Sequence, residues 1–281
     1  MPTQKNIAII GVGLIGGSIG LAVQQHRLAI EIVGIGRRKA TLDKALARGA
    51  ITRATTDLAD GVAKADLVIV CTPVAQIVEH VCQVLAAAPA HAIVTDAGST
   101  KGAICGGIAS QAADPGRFVG SHPLAGDHRT GPENARVDLF DEKTVVMTPD
   151  ASTTIHTTTQ VEALWCSLGA RVVKVSPGEH DQGVASTSHL PHLVAAALAE
   201  STPEQWLSLA ATGWADTTRV AAGDPGLWTQ IFSQNTPPLL AALDRMISCL
   251  EQVRTSLVAA DWAQTEQHLA QAKRIRDALG N

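Results

Sequence analysis

The chain has no tyrosine and only 3 phenylalanines among 281 residues, so its interior must be built from aliphatic side chains and alanine. No uninterrupted apolar run reaches the roughly 20 residues of a membrane-spanning helix, which argues against a helical membrane protein. Charge is scarce: 17% of residues are charged and the net charge is -4, which leaves no basic field to hold nucleic acid or an anionic membrane. The five cysteines (Cys71, Cys82, Cys105, Cys166, Cys249) are odd in number, scattered, and form no C-x-x-C pair. They read as reduced thiols of a cytoplasmic protein rather than as a disulfide framework. Residues 1–5 run straight into a strand-like segment, which leaves no room for a signal peptide.

Glycine, in contrast, is plentiful and concentrated where it matters. In Ile7-Ala8-Ile9-Ile10-Gly11-Val12-Gly13-Leu14-Ile15-Gly16-Gly17-Ser18 an apolar run suited to a buried parallel strand leads into G-x-G-x-x-G. An amphipathic segment, 18–26, follows. A strand that ends in glycines and opens a helix is a phosphate site. Gly11 permits the tight turn, Gly13 lets the backbone approach a pyrophosphate, and Gly16 lets helix and strand pack closely. Leu14 and Ile15 supply backbone at the helix start. The fingerprint alone is weak, and it is the strand before and helix after that favour a dinucleotide site over a glycine-rich turn.

The first half alternates strand-like segments (7–10, 32–35, 67–71, 92–95, 117–120, 144–147, 171–175) with helix-like ones (41–48, 74–87, 101–111, 153–168), the pattern of a parallel sheet covered by helices. Thr72-Pro73 stops the third of these strands at the carboxyl edge of the sheet, where such folds bind ligands, so both residues are assigned to the cofactor. Past Ser176-Pro177-Gly178 no convincing strand remains. Helices are expected over 179–201, 203–214, 228–259 (started or kinked at Pro237-Pro238) and 261–279. The expectation is an α/β protein: a Rossmann-type dinucleotide-binding domain over 1–176, then an all-helical substrate-binding and dimerisation domain over 177–281. The apolar positions on those helices favour a homodimer, with a monomeric bundle as the alternative.

NAD-binding folds usually place Asp or Glu at the end of the second strand, to bond the ribose 2′-hydroxyl. A 2′-phosphate would repel that carboxylate and prefers arginine. Here the strand ends in Gly36-Arg37-Arg38-Lys39. Arg37 and Arg38 offer planar forks that match phosphate oxygens, which points to NADP, unless this is a solvated basic turn.

Asp96-Ala97-Gly98-Ser99-Thr100-Lys101 and Ser121-His122-Pro123-Leu124-Ala125-Gly126 each follow a strand and should face the nicotinamide. A histidine there can take a proton from an alcohol as hydride leaves, and Ser99 could hold the same hydroxyl. His122 could equally be a core histidine. His189 and His192 stand three apart, but two histidines without a carboxylate or thiolate partner make a poor metal site, and none is expected.

These segments, with Ser188-His189-Leu190-Pro191-His192 and Asp216-Thr217-Thr218-Arg219, resemble the prephenate and arogenate dehydrogenases of tyrosine biosynthesis over essentially the whole chain. The basic end of the second strand resembles the NADP-using branch. The resemblance implies oxidative decarboxylation of a cyclohexadienol, with a small molecule as the only partner apart from a second copy of the chain. His122 would take the proton of the ring hydroxyl while hydride leaves the carbon that bears it. The resulting dienone would draw out carbon dioxide and become aromatic. Ser99 would bond the same hydroxyl, and Arg219 would pair with a substrate carboxylate. His192, and His189 unless it is structural, would contact substrate from the second domain.

One departure is clear: the family often shows a small residue and then Glu after Gly126, whereas this chain has Asp127-His128-Arg129. That loop either brings positive charge to a dianionic substrate or is plain surface. His192 resembles the prephenate-using members and the NADP signature several arogenate-using ones, so prephenate is favoured, with arogenate or dual use as the alternative. No regulatory βαββαβ module or fused mutase domain follows, so feedback by tyrosine would have to act at the active site. A β-hydroxyacid or imine reductase would place a lysine acid in the helical domain, yet no lysine falls between Lys174 and Lys273. An NADP-binding sensor without chemistry would have no use for Ser99, His122 and Arg219 together.

Overall fold

The computed structural model describes residues 5–126 and 129–280. The strands are β1 (Lys5–Ile10), β2 (Ala29–Ile35), β3 (Arg53–Thr55), β4 (Leu67–Val70), β5 (Ile93–Asp96), β6 (Phe118–Pro123), β7 (Thr144–Thr148) and β8 (Arg171–Lys174). They form one sheet in the order β3-β2-β1-β4-β5-β6-β7-β8. The helices α1 (Leu14–Gln25), α2 (Lys39–Ala47), α3 (Leu58–Val62), α4 (Val74–Ala87), α5 (Gly102–Gln111) and α6 (Ile155–Ser167) connect them. Alternation along β1 builds the two faces. Ile7 and Ile9 join one core with Ile32, Ile69 and Trp165, while Ala8 and Ile10 join the other with Val68, Val70 and Ile77. Burying each such large side chain is worth about 1.5–3 kcal/mol, which fixes the sheet between its helical layers.

The sheet is parallel from β3 through β6, but β7 runs antiparallel to β6 and β8 parallel to β7. This corrects the all-parallel expectation. A parallel return needs a crossover, usually helical, and between β6 and β7 the described residues hold only a short 3-10 turn, Pro132–Asn134. The ladder with β7 also carries β6 three residues beyond its expected end at Gly120, so His122 pairs with Val146 inside the strand. The short β3 and α3 had too few residues to show a period.

The second half is helical: α7 (Pro177–Val184), a π-helical turn (Ala185–His189), α8 (Leu190–Ser201), α9 (Thr212–Thr218), α10 (Pro225–Gln234), α11 (Thr236–Val258) and α12 (Trp262–Asp277). Ser176 starts α7 with a capping box, its hydroxyl bonding the Glu179 N–H while the Glu179 carboxylate returns to the Ser176 N–H. Pro237-Pro238 lies in the first turn of α11, as expected of prolines that begin a helix. The expected helix over 203–214 is a 3-10 segment (Glu204–Leu209) followed by α9. This half is tied to the sheet where α5 begins. The Asp181 carboxylate accepts the Lys101 and Gly102 N–H groups, both at 2.8 Å, and Thr100 donates to Gln234 Oε1 at 2.6 Å.

Candidate active site

The β1–α1 junction has the shape its glycines imply. Gly11 has φ +90°, and a Cβ there would come within 2.7 Å of the Cys71 carbonyl, while one on Gly16 would collide with the Gly11 carbonyl. At Gly13 a Cβ would meet nothing within 4 Å. Two glycines therefore serve the protein's own packing, and the third faces open space beside the start of α1. Gly13 is the N-cap of α1 and provides no side-chain cap, so the backbone of Leu14, Ile15 and Gly16 is available to an anion. Thr72 packs beside Gly11 and its hydroxyl lies 3.1 Å from Nδ1 of His80, while the exposed Pro73 caps α4. Arg37 and Arg38 are exposed just past β2, and no ion pair among the described residues engages either. Burial lowers the pKa of His80, partly offset by Glu79, and the Arg37 charge lowers it further. These residues fit a dinucleotide.

The next carboxyl edge holds a buried ion pair, Lys101 to Asp96, in which both side chains are fully buried. Such a pair costs several kcal/mol of desolvation per ion unless its remaining polar atoms are satisfied. Here Asp96 also accepts the Gly98 N–H at 2.8 Å and the Ser121 N–H at 3.0 Å. The pair thereby fastens the 97–101 loop, which carries the half-buried Ser99, to the strand that carries His122.

Nδ1 of His122 lies 2.8 Å from Nε2 of His180, and Nδ1 of His180 lies 2.7 Å from Oδ1 of Asp181. The direction of the protons follows from the far end. An Asp181 carboxylate that accepts two backbone N–H groups can only accept from His180 Nδ1–H. With His180 neutral, its Nε2 carries a lone pair and accepts from His122 Nδ1–H, which leaves His122 Nε2 unprotonated. Burial pushes the His122 pKa well below its ordinary value, reinforced by His180, Lys101 and His189. Burial would raise the Asp181 pKa, but hydrogen bonds from His180, Lys101 N and Gly102 N outweigh it and hold the carboxyl below its usual range.

From the helical half, His189 is buried at the end of the π-turn and His192 is half-buried on α8. Both meet Trp228: the His192 ring stacks on it with centroids 3.4 Å apart, and the His189 ring stands edge-on at 6.2 Å. Burial lowers the pKa of His192, and the Arg219 charge lowers it further, which places Arg219 close by. Arg219 itself is exposed, and no carboxylate among the described residues pairs with it. The first half thus presents a base and the second a cation with two histidines. Among the described residues no cluster of three His, Cys, Asp or Glu side chains could hold a metal ion. Asp127 and His128 lie outside the described residues; Arg129 is exposed.

Residues 19–174 match the model of the prephenate dehydrogenase nucleotide-binding domain, and residues 176–271 that of the prephenate dehydrogenase dimerization domain. The chain belongs to the prephenate dehydrogenase family. It is 33% identical to the cyclohexadienyl dehydrogenase of Zymomonas mobilis over 99% of this chain and 97% of that one. Among solved structures it is similar to prephenate dehydrogenase from Aquifex aeolicus in complex with hydroxyphenyl propionate and NAD+. There the TM-score is 0.92 at 29% identity, covering 99% of both chains. Synechocystis arogenate dehydrogenase follows with a TM-score of 0.85 at 30% identity, over 98% of this chain and 99% of that one. As a member of this family the chain is an oxidoreductase that uses a nicotinamide dinucleotide and a small-molecule substrate, and its Rossmann-type first half and helical second half are those of the family.

Sequence reasoning missed His180, Asp181 and Asn235, which sit among the site histidines. Ser176-x-x-Glu179 announced where α7 begins, but not that its first turn would face β6. Asn235 gave no signal beyond standing before Pro237-Pro238.

Proposed function

We propose that this chain is an NADP-dependent dehydrogenase that oxidises and decarboxylates prephenate to 4-hydroxyphenylpyruvate. The observation that carries the reading is the His122–His180–Asp181 chain, which leaves a neutral imidazole with its Nε2 lone pair free. Gly11, Gly13 and Gly16 with the backbone of Leu14 and Ile15 would hold the pyrophosphate, Thr72 and Pro73 would line its path, and Arg37 and Arg38 would take the 2′-phosphate. When bound, the cofactor supplies the acceptor for the hydride. His122 Nε2 takes the proton of the ring hydroxyl, and its Nδ1 proton can move toward His180, whose positive charge the Asp181 carboxylate would stabilise. Once carbon dioxide has left and its bonding electrons have entered the ring, His122 returns the proton to the phenolate oxygen. Ser99 orients that oxygen, and Arg219 with His189 and His192 orients the rest of the substrate.

His192 supports prephenate over arogenate. Burial and Arg219 lower its pKa and no carboxylate among the described residues offsets them, an environment suited to an anionic keto acid rather than an ammonium. The likeness to an arogenate dehydrogenase keeps arogenate as the second reading. The division at 176/177, a cytoplasmic location and a homodimer complete the proposal. Leu250, Leu257, Val258 and Trp262, exposed on and around α11 and α12, support the dimer, as does the matched dimerization domain. The test is purified protein with NADP or NAD and with prephenate or arogenate, followed by absorbance of the reduced cofactor. Absence of turnover in all four combinations overturns the reading.

A further inference from the structure

Asn235 is the N-cap of α11 yet makes no side-chain cap. Asparagine favours this position because its oxygen accepts the N–H of the second or third helical residue. Here those residues are Pro237 and Pro238, which have no N–H to give. The prolines release the amide from its ordinary task, and it turns inward, 1% exposed. Nδ2 lies 2.9 Å from the Asp181 carbonyl oxygen and 3.0 Å from Nδ1 of His189, while Oδ1 is buried and bonds no group among the described residues.

The amide cannot be turned over. A backbone carbonyl only accepts, so the atom facing Asp181 O must be the NH2 group. Its second hydrogen then points at His189 Nδ1, which must be the unprotonated nitrogen. Burying Oδ1 without a protein partner is unfavourable, and the arrangement retains it. We propose that Asn235 is a positioning residue that locks His189 as the neutral Nε2–H tautomer, so that His189 presents a hydrogen-bond donor and no basic lone pair to an uncharged oxygen of the bound ligand.

His122 and His189 are then opposite tautomers with divided tasks. His122 keeps its proton on Nδ1 and offers a base at Nε2; His189 keeps its proton on Nε2 and can only donate. Among the described residues no protein group bonds His189 Nε2. The ionisable groups that bear on the ring agree: burial is the largest influence, Asp181 opposes it, and His180 and His192 add to it, leaving the pKa at about 4. Protonation would also turn a new Nδ1–H against the Asn235 NH2. The ligand part of the inference rests on the dehydrogenase reading; the tautomer does not.

The test is long-range 15N–1H correlation of histidine-labelled full-length protein, with the His189 signals assigned by loss in His189→Gln. Nε2–H with an unprotonated Nδ1 from pH 5.5 to 8 is expected. An Nδ1–H tautomer, or a charged ring anywhere in that range, overturns the assignment without touching the proposed activity. Asn235→Asp, which replaces a donor by an acceptor at constant shape, should shift His189 toward Nδ1–H and lower kcat/KM at least tenfold. It should also add a titration to the pH profile that the wild type lacks. An unchanged tautomer in that variant removes Asn235 from the role, and if the variant does not fold, the wild-type spectrum alone decides. Titration with NADP and with 4-hydroxyphenylpyruvate, singly and together, should move the Nε2 resonance. No movement under any of the three overturns the donor role toward a ligand.

Discussion

His122 and His180 are 58 residues apart in the chain and belong to different halves of the molecule, yet their rings share a hydrogen bond of 2.8 Å. The base of the proposed reaction is therefore oriented by a residue of the other half.

His122→Asn should retain fold and cofactor binding and lower turnover by roughly 10²–10⁴, the usual worth of a positioned general base. Only the neutral imidazole accepts a proton, so the wild-type rate rises with pH through the His122 pKa and then levels. Because that pKa is held well below its ordinary 6.5, the rise belongs on the acid side of neutrality rather than at it. A rate profile of wild type and variant checks this: the limb should vanish in the variant, and a variant with near-full turnover would make His122 structural.

Asp181→Asn should lower turnover about tenfold and also lower the melting temperature, because one carboxylate both anchors His180 and caps α5. Its pKa is depressed in the folded state, so the stability it contributes is present above the unfolded value of 3.8 and lost as pH falls through the folded one. Thermal melts between pH 7 and pH 2 should show wild type losing more stability than the variant over the acid end of that range. Parallel curves would assign the cap no electrostatic weight.

Arg37→Ala should weaken NADP by roughly tenfold to a hundredfold, since losing a charge-assisted phosphate contact costs about 1.5–3 kcal/mol. NAD affinity should change little. Cofactor titration monitored by nicotinamide fluorescence decides it, and a wild type that prefers NAD would contradict the assignment of the basic turn.

Arg219→Ala should raise KM for the substrate strongly while leaving NADP affinity near normal, because the residue lies on the helical half, close to His192. Steady-state kinetics with each ligand varied in turn separates the effects. An equal loss of NADP binding would make Arg219 a clamp over the cofactor.

Legibility in the sequence followed the range of the forces involved. The glycine fingerprint, the strands of the first half and the bare end of β2 are local, each set by a few neighbouring residues, and the structure reproduces their elements. His122 could be placed at a strand end by local reasoning, whereas Arg219 was read only from a family resemblance. His180 and Asp181 could not be read, because what matters about them is the surface opposite, and α7 bonds to β6 across 58 residues and to the start of α5 across 79 and 80. The reversal of β7 was hidden for a related reason: direction depends on whether the connection crosses the sheet, which no periodicity within a strand records. Asn235 was hidden for the same reason as His180, since its two partners lie 54 and 46 residues away.

The Asp181 carboxylate rests on backbone N–H groups of one half while it belongs to the other. Parting the halves would therefore strip His180 of its alignment and His122 of its acceptor in the same movement. Contact between the halves and alignment of the proposed base are thus a single condition, met or lost together.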